Sequence, residues 1–160
     1  MNPMQAYFTE LLKSSKEFFD RSTRPLTDEH SAYKPSDAMF SVVQQIAHTA
    51  QTVEWFFDGA FSPAGFDLDF EKGMREMSAV ETVSEARAWL DRACARAIKE
   101  VSEKPWEEWE TNMPDNPIMG PHPRYTILGG LLDHTAHHRG ALTVYTRQLG
   151  LVPPMPYMEM

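Results

Sequence analysis

Three of the chain's six histidines fall within five residues, in the run Leu131-Leu132-Asp133-His134-Thr135-Ala136-His137-His138-Arg139-Gly140. On a helix, side chains four apart project from one face a turn apart, so His134 and His138 offer two imidazoles to a common point. Two imidazoles are half of a tetrahedral metal site, and one more ligand from elsewhere would leave a position open for water or substrate. The zincin arrangement His-Glu-x-x-His, in which the glutamate is the general base, is excluded because Thr135 follows His134. A buried imidazole without a partner costs free energy, so the residues alone leave two outcomes for the pair, a metal ion or a hydrogen-bond network. Ala136 and Gly140 are small and would leave space beside the rings.

The elements that must position these side chains read as helices. Residues 3 to about 20 carry Met4, Tyr7, Phe8, Leu11, Leu12, Phe18 and Phe19 at spacings of three and four, the stripe of a helix that faces a core. Asn2 suits its N-cap and Pro3 its first position. A connection over 21–38 holds Pro25, Pro35 and a solvated His30. Ser41 caps a second helix running to about Ala60, with an apolar arc of Val43, Ile46, Ala47, Ala50, Val53 and Phe57.

His48 lies nearly opposite the centre of that arc at about 100° per residue. It shares its side with Gln44, Gln45, Thr52 and Trp55. This strip is neutral and aromatic-edged, without the lysines and glutamates of a solvated face. Either His48 is exposed, or the helix is covered on both sides and the strip lines a polar cavity.

Residues 61–81, with Pro63, Gly65 and Gly73, read as a long connection holding one short helix. Thr82-Val83-Ser84-Glu85 is a capping box that opens a third helix ending near Lys104, with Cys94 buried and inert on its flank. Residues 105–125 hold five prolines and two tryptophans, Trp106 and Trp109. A connection this long packs over something or serves as a lid, and the tryptophans should be packed. His122 falls in this loop without a clear role. Thr126 is expected to cap a fourth helix ending at Gly150, followed by a frayed methionine-rich tail. No stretch reads as a strand. The expected fold is all-α, a four-helix bundle over 1–160 with a long crossover between helices 2 and 3, as bundles need when consecutive helices are not antiparallel neighbours.

Composition narrows the function classes. Hydrophobic residues make up 42% and charged residues 24%, which indicates a globular chain able to bury a core. The formal charge of −8 disfavours phosphate backbones and anionic membrane surfaces. A single cysteine cannot form an internal disulfide, no apolar run approaches the roughly 20 residues of a membrane span, and the N-terminus does not read as a signal peptide. The expected location is cytoplasmic.

The run His134-Thr-Ala-His-His138-Arg139-Gly140, followed by Tyr145-x-Arg147-x-x-Gly150-x-x-Pro153-Pro154, resembles the C-terminal signature of the DinB/YfiT-like family. Tyr33-Lys-Pro35, Phe40-Ser41-Val42 and Ile46-Ala-His48 resemble that family upstream, about 85 residues away and in the correct order. The resemblance spans essentially the whole chain. It implies a four-helix bundle with a divalent metal held by His48 from the second helix and His134 and His138 from the fourth. His137 matches a frequent extra histidine that is not usually a ligand. The family commonly has glutamine after Gly140, where this chain has Ala141.

Zinc or nickel is the expected ion, with iron or manganese as alternatives, since the Irving–Williams order lets such a site take several. Neutral ligands would leave the ion's charge uncompensated and favour an anionic ligand such as a thiolate. Family members include thiol S-transferases and a thiol-dependent isomerase, whose extra domain has no room in 160 residues. The resemblance thus implies a metal-dependent enzyme, a thiol S-transferase joining a low-molecular-weight thiol to an electrophile in detoxification or stress response. Tyr145 or Arg139 would be candidates to assist, and a homodimer is in keeping with the family. Two rivals stand: a non-catalytic protein that binds metal or a small stress-related ligand, and a bundle whose histidines are structural.

Overall fold

The computed structural model describes residues 2–159. Its helices are α1 (Pro3–Thr23), α2 (Val42–Phe61), α3 (Phe70–Ser78), α4 (Val83–Glu103), α5 (Trp106–Glu110) and α6 (Thr126–Gln148). Among the described residues there is no strand, only an isolated antiparallel bridge between Asn112 and Pro123. None of these helices is long and apolar enough to cross a membrane.

Four long helices close into a ring in which α1 and α2 each pack against both α4 and α6. Side-chain bonds give their directions. Trp89 donates to Glu54 and Arg96 to Asp58, so α2 and α4 advance together and are parallel. Gln45 meets Tyr145 while Thr52 meets His134, so α2 and α6 are antiparallel. Gln5 donates to the Ser102 and Lys104 carbonyls and Arg87 to Thr23, so α1 and α4 are antiparallel too. A parallel neighbour pair cannot be joined by a tight turn, and residues 62–82, which hold α3, form the crossover between α2 and α4. The four-helix bundle with this long crossover is therefore the observed fold.

Local signals account for the helix ends. Asn2, Ser41 and Thr82 each cap with a reciprocal bond from Gln5, Gln44 and Glu85, satisfying backbone groups that a helix start leaves open. Gly150 closes α6 with φ of 77°, its N–H on Arg147 and that of Leu151 on Thr146, the paired bonds of a Schellman motif. Thr126 departs from expectation. It is the first residue of α6, and its hydroxyl donates to the Pro123 carbonyl at 2.7 Å. The chain enters the helix through a turn at Pro123–Tyr125, and Tyr125 is already in the right-handed helical conformation, so no extended residue is there to cap.

The α1 stripe is narrower than its spacing suggests. Leu12 and Phe19 are buried beside Gln5 and Thr9, whereas Met4 and Tyr7 are largely exposed. In contrast, α2 buries residues on nearly every side, including Gln45, Thr49 and Thr52. Trp106 and Trp109 are buried, stacked with Phe8 and Tyr125 and edge-on to Phe57 and Phe61, so the segment after α4 plugs one end of the bundle. The tail is docked: Arg21 holds the Pro156 carbonyl and the Glu159 carboxylate, and Tyr157 packs edge-on against Phe18. Met160 lies outside the described residues.

The crossover turns at Gly59, where a Cβ would sit 2.2 Å from Cδ1 of Phe66. That ring is 6% exposed and wedged against Trp55 and Phe56. Alanine would contribute about 1 kcal/mol of helix propensity, but overpacking a buried ring costs about 1–3 kcal/mol. Gly59→Ala is expected to lower stability by a net of up to about 2 kcal/mol in urea unfolding, and a stability raised by the full propensity gain would show that Phe66 moves aside freely.

Candidate metal centre

The antiparallel packing of α2 and α6 brings together three histidines that are up to 90 residues apart in sequence. His134 Nε2 lies 3.3 Å from His48 Nε2 and 3.1 Å from His138 Nε2. The three potential ligand atoms all fall within 4.8 Å of one another. Imidazole nitrogens bound at about 2.05 Å to a tetrahedral ion are about 3.3 Å apart, and at right-angle positions about 2.9 Å. The separations from His134 to its two neighbours fall in that range. Thr52 Oγ1 is a third neighbour of His134 Nε2, at 3.4 Å. One proton on that nitrogen could serve one of these contacts, whereas one cation would serve all three nitrogens. The residues present therefore fit a divalent ion.

The support behind the rings is uneven. His138 Nδ1 is hydrogen-bonded to Gln45 Oε1, and Gln45 Nε2 donates to the Tyr145 hydroxyl at 3.2 Å. That hydroxyl donates to the Phe40 carbonyl at 3.0 Å, and the Phe40 ring packs edge-on to His48 with centroids 5.5 Å apart. His134 lacks comparable support, because its Nδ1 is buried without a hydrogen-bond partner. Metal-binding histidines usually have the second nitrogen bonded, so His134 is held by packing where His138 is held by a bond.

The other residues singled out from the sequence lie as follows. His137 is exposed, its ring edge-on to His138. Arg139 places its guanidinium over Phe18 and Tyr157, 5.9 and 5.8 Å from their centroids, between α1 and the tail. Tyr145 is 1% exposed and bonds Gln45 and Phe40 rather than a histidine. Ala136 and Gly140 are on the exposed side of α6 and open no space at the rings. Two residues apart on a helix is about 200°, which turns both away from His134 and His138. The close approach on the histidine side is instead at Gly130, where a Cβ would lie 3.3 Å from Phe56 and 3.8 Å from Met119. Gln45 was visible only as a member of the neutral strip on α2, and Phe40 only as a motif residue. Burial pushes the Cys94 thiol up to about 12, as suits an inert cysteine. His30 bonds the Thr27 amide, and His122 is exposed on the hairpin that precedes α6.

Burial is the main cause that lowers the pKa of all three clustered histidines. His134 falls to about 4 and His138 to about 3, with the neighbouring rings adding repulsion. His48 is lowered as well, opposed by a side-chain hydrogen bond with Gln51. All three are neutral at neutral pH, the form in which an imidazole can bind a metal. Their folded values lie below the ordinary 6.5, so as pH falls the unfolded chain takes up protons first. The stability they contribute is complete above about pH 6.5 and is lost as pH falls from there toward the folded values. Melting the metal-free protein between pH 7.5 and 4.5 should show a falling Tm, with a shallower fall in the His134→Gln, His138→Gln double variant. Parallel curves would show that these rings are not responsible.

No protein with a curated description matches this chain. A crystal structure of a DinB-like protein from Bacillus cereus ATCC 10987 is similar over 92% of this chain and 93% of that one, with a TM-score of 0.66 and 22% identity, a likeness of fold. The DinB family model matches residues 1–160. With that match over the whole chain, on a helical bundle carrying a three-histidine cluster, the chain belongs to the DinB family.

Proposed function

We propose that this protein is a metal-dependent thiol S-transferase. The observation that carries the reading is the convergence of three neutral imidazoles between α2 and α6, where the charged or ionisable groups acting on them are one another, His137 and Asp133, with no lysine or arginine among them. Phosphate or multiply charged substrates are typically held by arginine or lysine, so the setting suits a ligand with one anionic atom. A divalent ion held by His48, His134 and His138 would stabilise the anionic form of a thiol and make a sulfur nucleophile available at neutral pH.

The protein's own part is to bind and orient. His48 and His134 approach from opposite helices, and Gln45 with Tyr145 holds His138. The Phe40 ring packs edge-on against His48 and helps to orient it. The thiol gives its proton to solvent, its sulfur forms a bond to the electrophilic carbon, and the leaving group departs with the electrons of the broken bond. Tyr145 acts here as a positioning residue, and Arg139 secures α6 to α1 and the tail.

The test is turnover. Protein loaded with zinc, nickel or manganese should consume a low-molecular-weight thiol together with a model electrophile such as an aryl halide or epoxide, forming thioether. Removing the ion or making His134→Ala should lower the rate at least 100-fold. A loaded protein that binds the thiol but never forms thioether with any member of a broad electrophile panel would favour the non-catalytic ligand-binding reading.

A further inference from the structure

The bonds behind His138 have a polarity that can be worked out from one end. The Phe40 carbonyl can only accept, so the Tyr145 hydroxyl hydrogen is committed to it. The Tyr145 oxygen is then an acceptor, and it takes a hydrogen from the Gln45 amide nitrogen. This directs Gln45 Oε1 at His138 Nδ1, and an amide oxygen can only accept. The inverted amide would set the Gln45 oxygen against a hydroxyl with no hydrogen left to give. Nδ1 of His138 therefore carries the hydrogen, and its Nε2 faces His134 as a bare lone pair. Gln45 is 7% exposed and Tyr145 1%, so water does not compete for these bonds.

We propose that Gln45 is a positioning residue that, backed by Tyr145 and the Phe40 carbonyl, locks His138 in the Nδ1–H tautomer with its Nε2 lone pair aimed into the histidine cluster. The same segment reaches the second ligand, because the Phe40 ring lies on His48 and Ser41 caps the helix that carries it. Gln45 thus ties a ligand on α6 to the start of α2. The consequence for metal affinity rests on reading the histidines as ligands; the tautomer does not.

The experiment is long-range proton–nitrogen NMR of the metal-free, nitrogen-15-labelled protein, with zinc affinity measured by chelator competition and Tm as a check of folding. Wild type should show His138 protonated on Nδ1. Gln45→Leu should lose the single tautomer and weaken zinc binding by about 10- to 100-fold. Gln45→Glu, whose carboxylate still accepts from Nδ1–H but draws the Tyr145 hydroxyl hydrogen away from the Phe40 carbonyl, should keep the tautomer in the NMR readout. Tyr145→Phe, which frees the amide to invert, should fall between the two. A wild-type His138 protonated on Nε2, or a Gln45→Leu protein with unchanged tautomer and zinc affinity, overturns the assignment. Should the tautomer be present in wild type and lost in Gln45→Leu while zinc binds neither, the role of Gln45 stands and the metal reading fails.

Discussion

His134 Nε2 stands within 3.3 Å of the Nε2 atoms of both His48 and His138, an arrangement that favours something positive among the three rings. Each Nε2 that lacks a hydrogen presents a lone pair, and burial has made protonation costly for all three rings. A proton on His134 Nε2 relieves one contact and leaves the others, whereas a divalent ion relieves them together. This constraint gives the α2–α6 contact its character. The polar side chains that meet the rings, Gln45, Gln51 and Thr52, are neutral, and the Phe40 ring lies edge-on to His48.

The bundle supplies the rigidity that such a site requires. Ligands carried on packed helices are held more precisely than ligands on loops, and here all three candidate ligands come from two antiparallel helices. The parallel pair α2 and α4 forces a crossover, which passes over α2 at Gly59 and Phe66 and closes the side of the helix near Trp55. At the other end of the pair, the turn before α2 sets Phe40 against His48 and its carbonyl against Tyr145. The aromatic plug of Trp106 and Trp109 fills the end of the bundle where Phe57 and Phe61 emerge. Arg124, donating to the Ala60 carbonyl, ties the end of α2 to the segment leading into α6.

Much of this could be read from residue types and spacing. Asn2, Ser41 and Thr82 mark helix starts because the physics of a helix N-terminus is local, and His134 with His138 is a pair visible at four-residue spacing. Thr126 misled because its turn is set by Pro123 rather than by the threonine. Met4 and Tyr7 misled because periodicity cannot tell which part of a stripe another helix covers. His48 was the instructive conflict. Its position opposite the apolar arc argued for exposure, and the family resemblance argued for a ligand. The resolution is that α2 is buried on nearly every side and meets α6 along its neutral strip, so polarity without charge was the informative signal. The bond between Gln45 and His138 was out of reach, since it joins residues 93 apart in sequence and depends on the register of two helices.

The most direct measurement of the central claim is metal stoichiometry by mass spectrometry on the untagged protein after loading with zinc, beside His48→Ala and His134→Ala. A single site built from both helices predicts close to one ion per chain in the wild type and its loss in each variant, with all three proteins folded. Full occupancy retained in His48→Ala would contradict a site shared between α2 and α6. A folded wild type that takes up no zinc, nickel or manganese would contradict the metal centre itself.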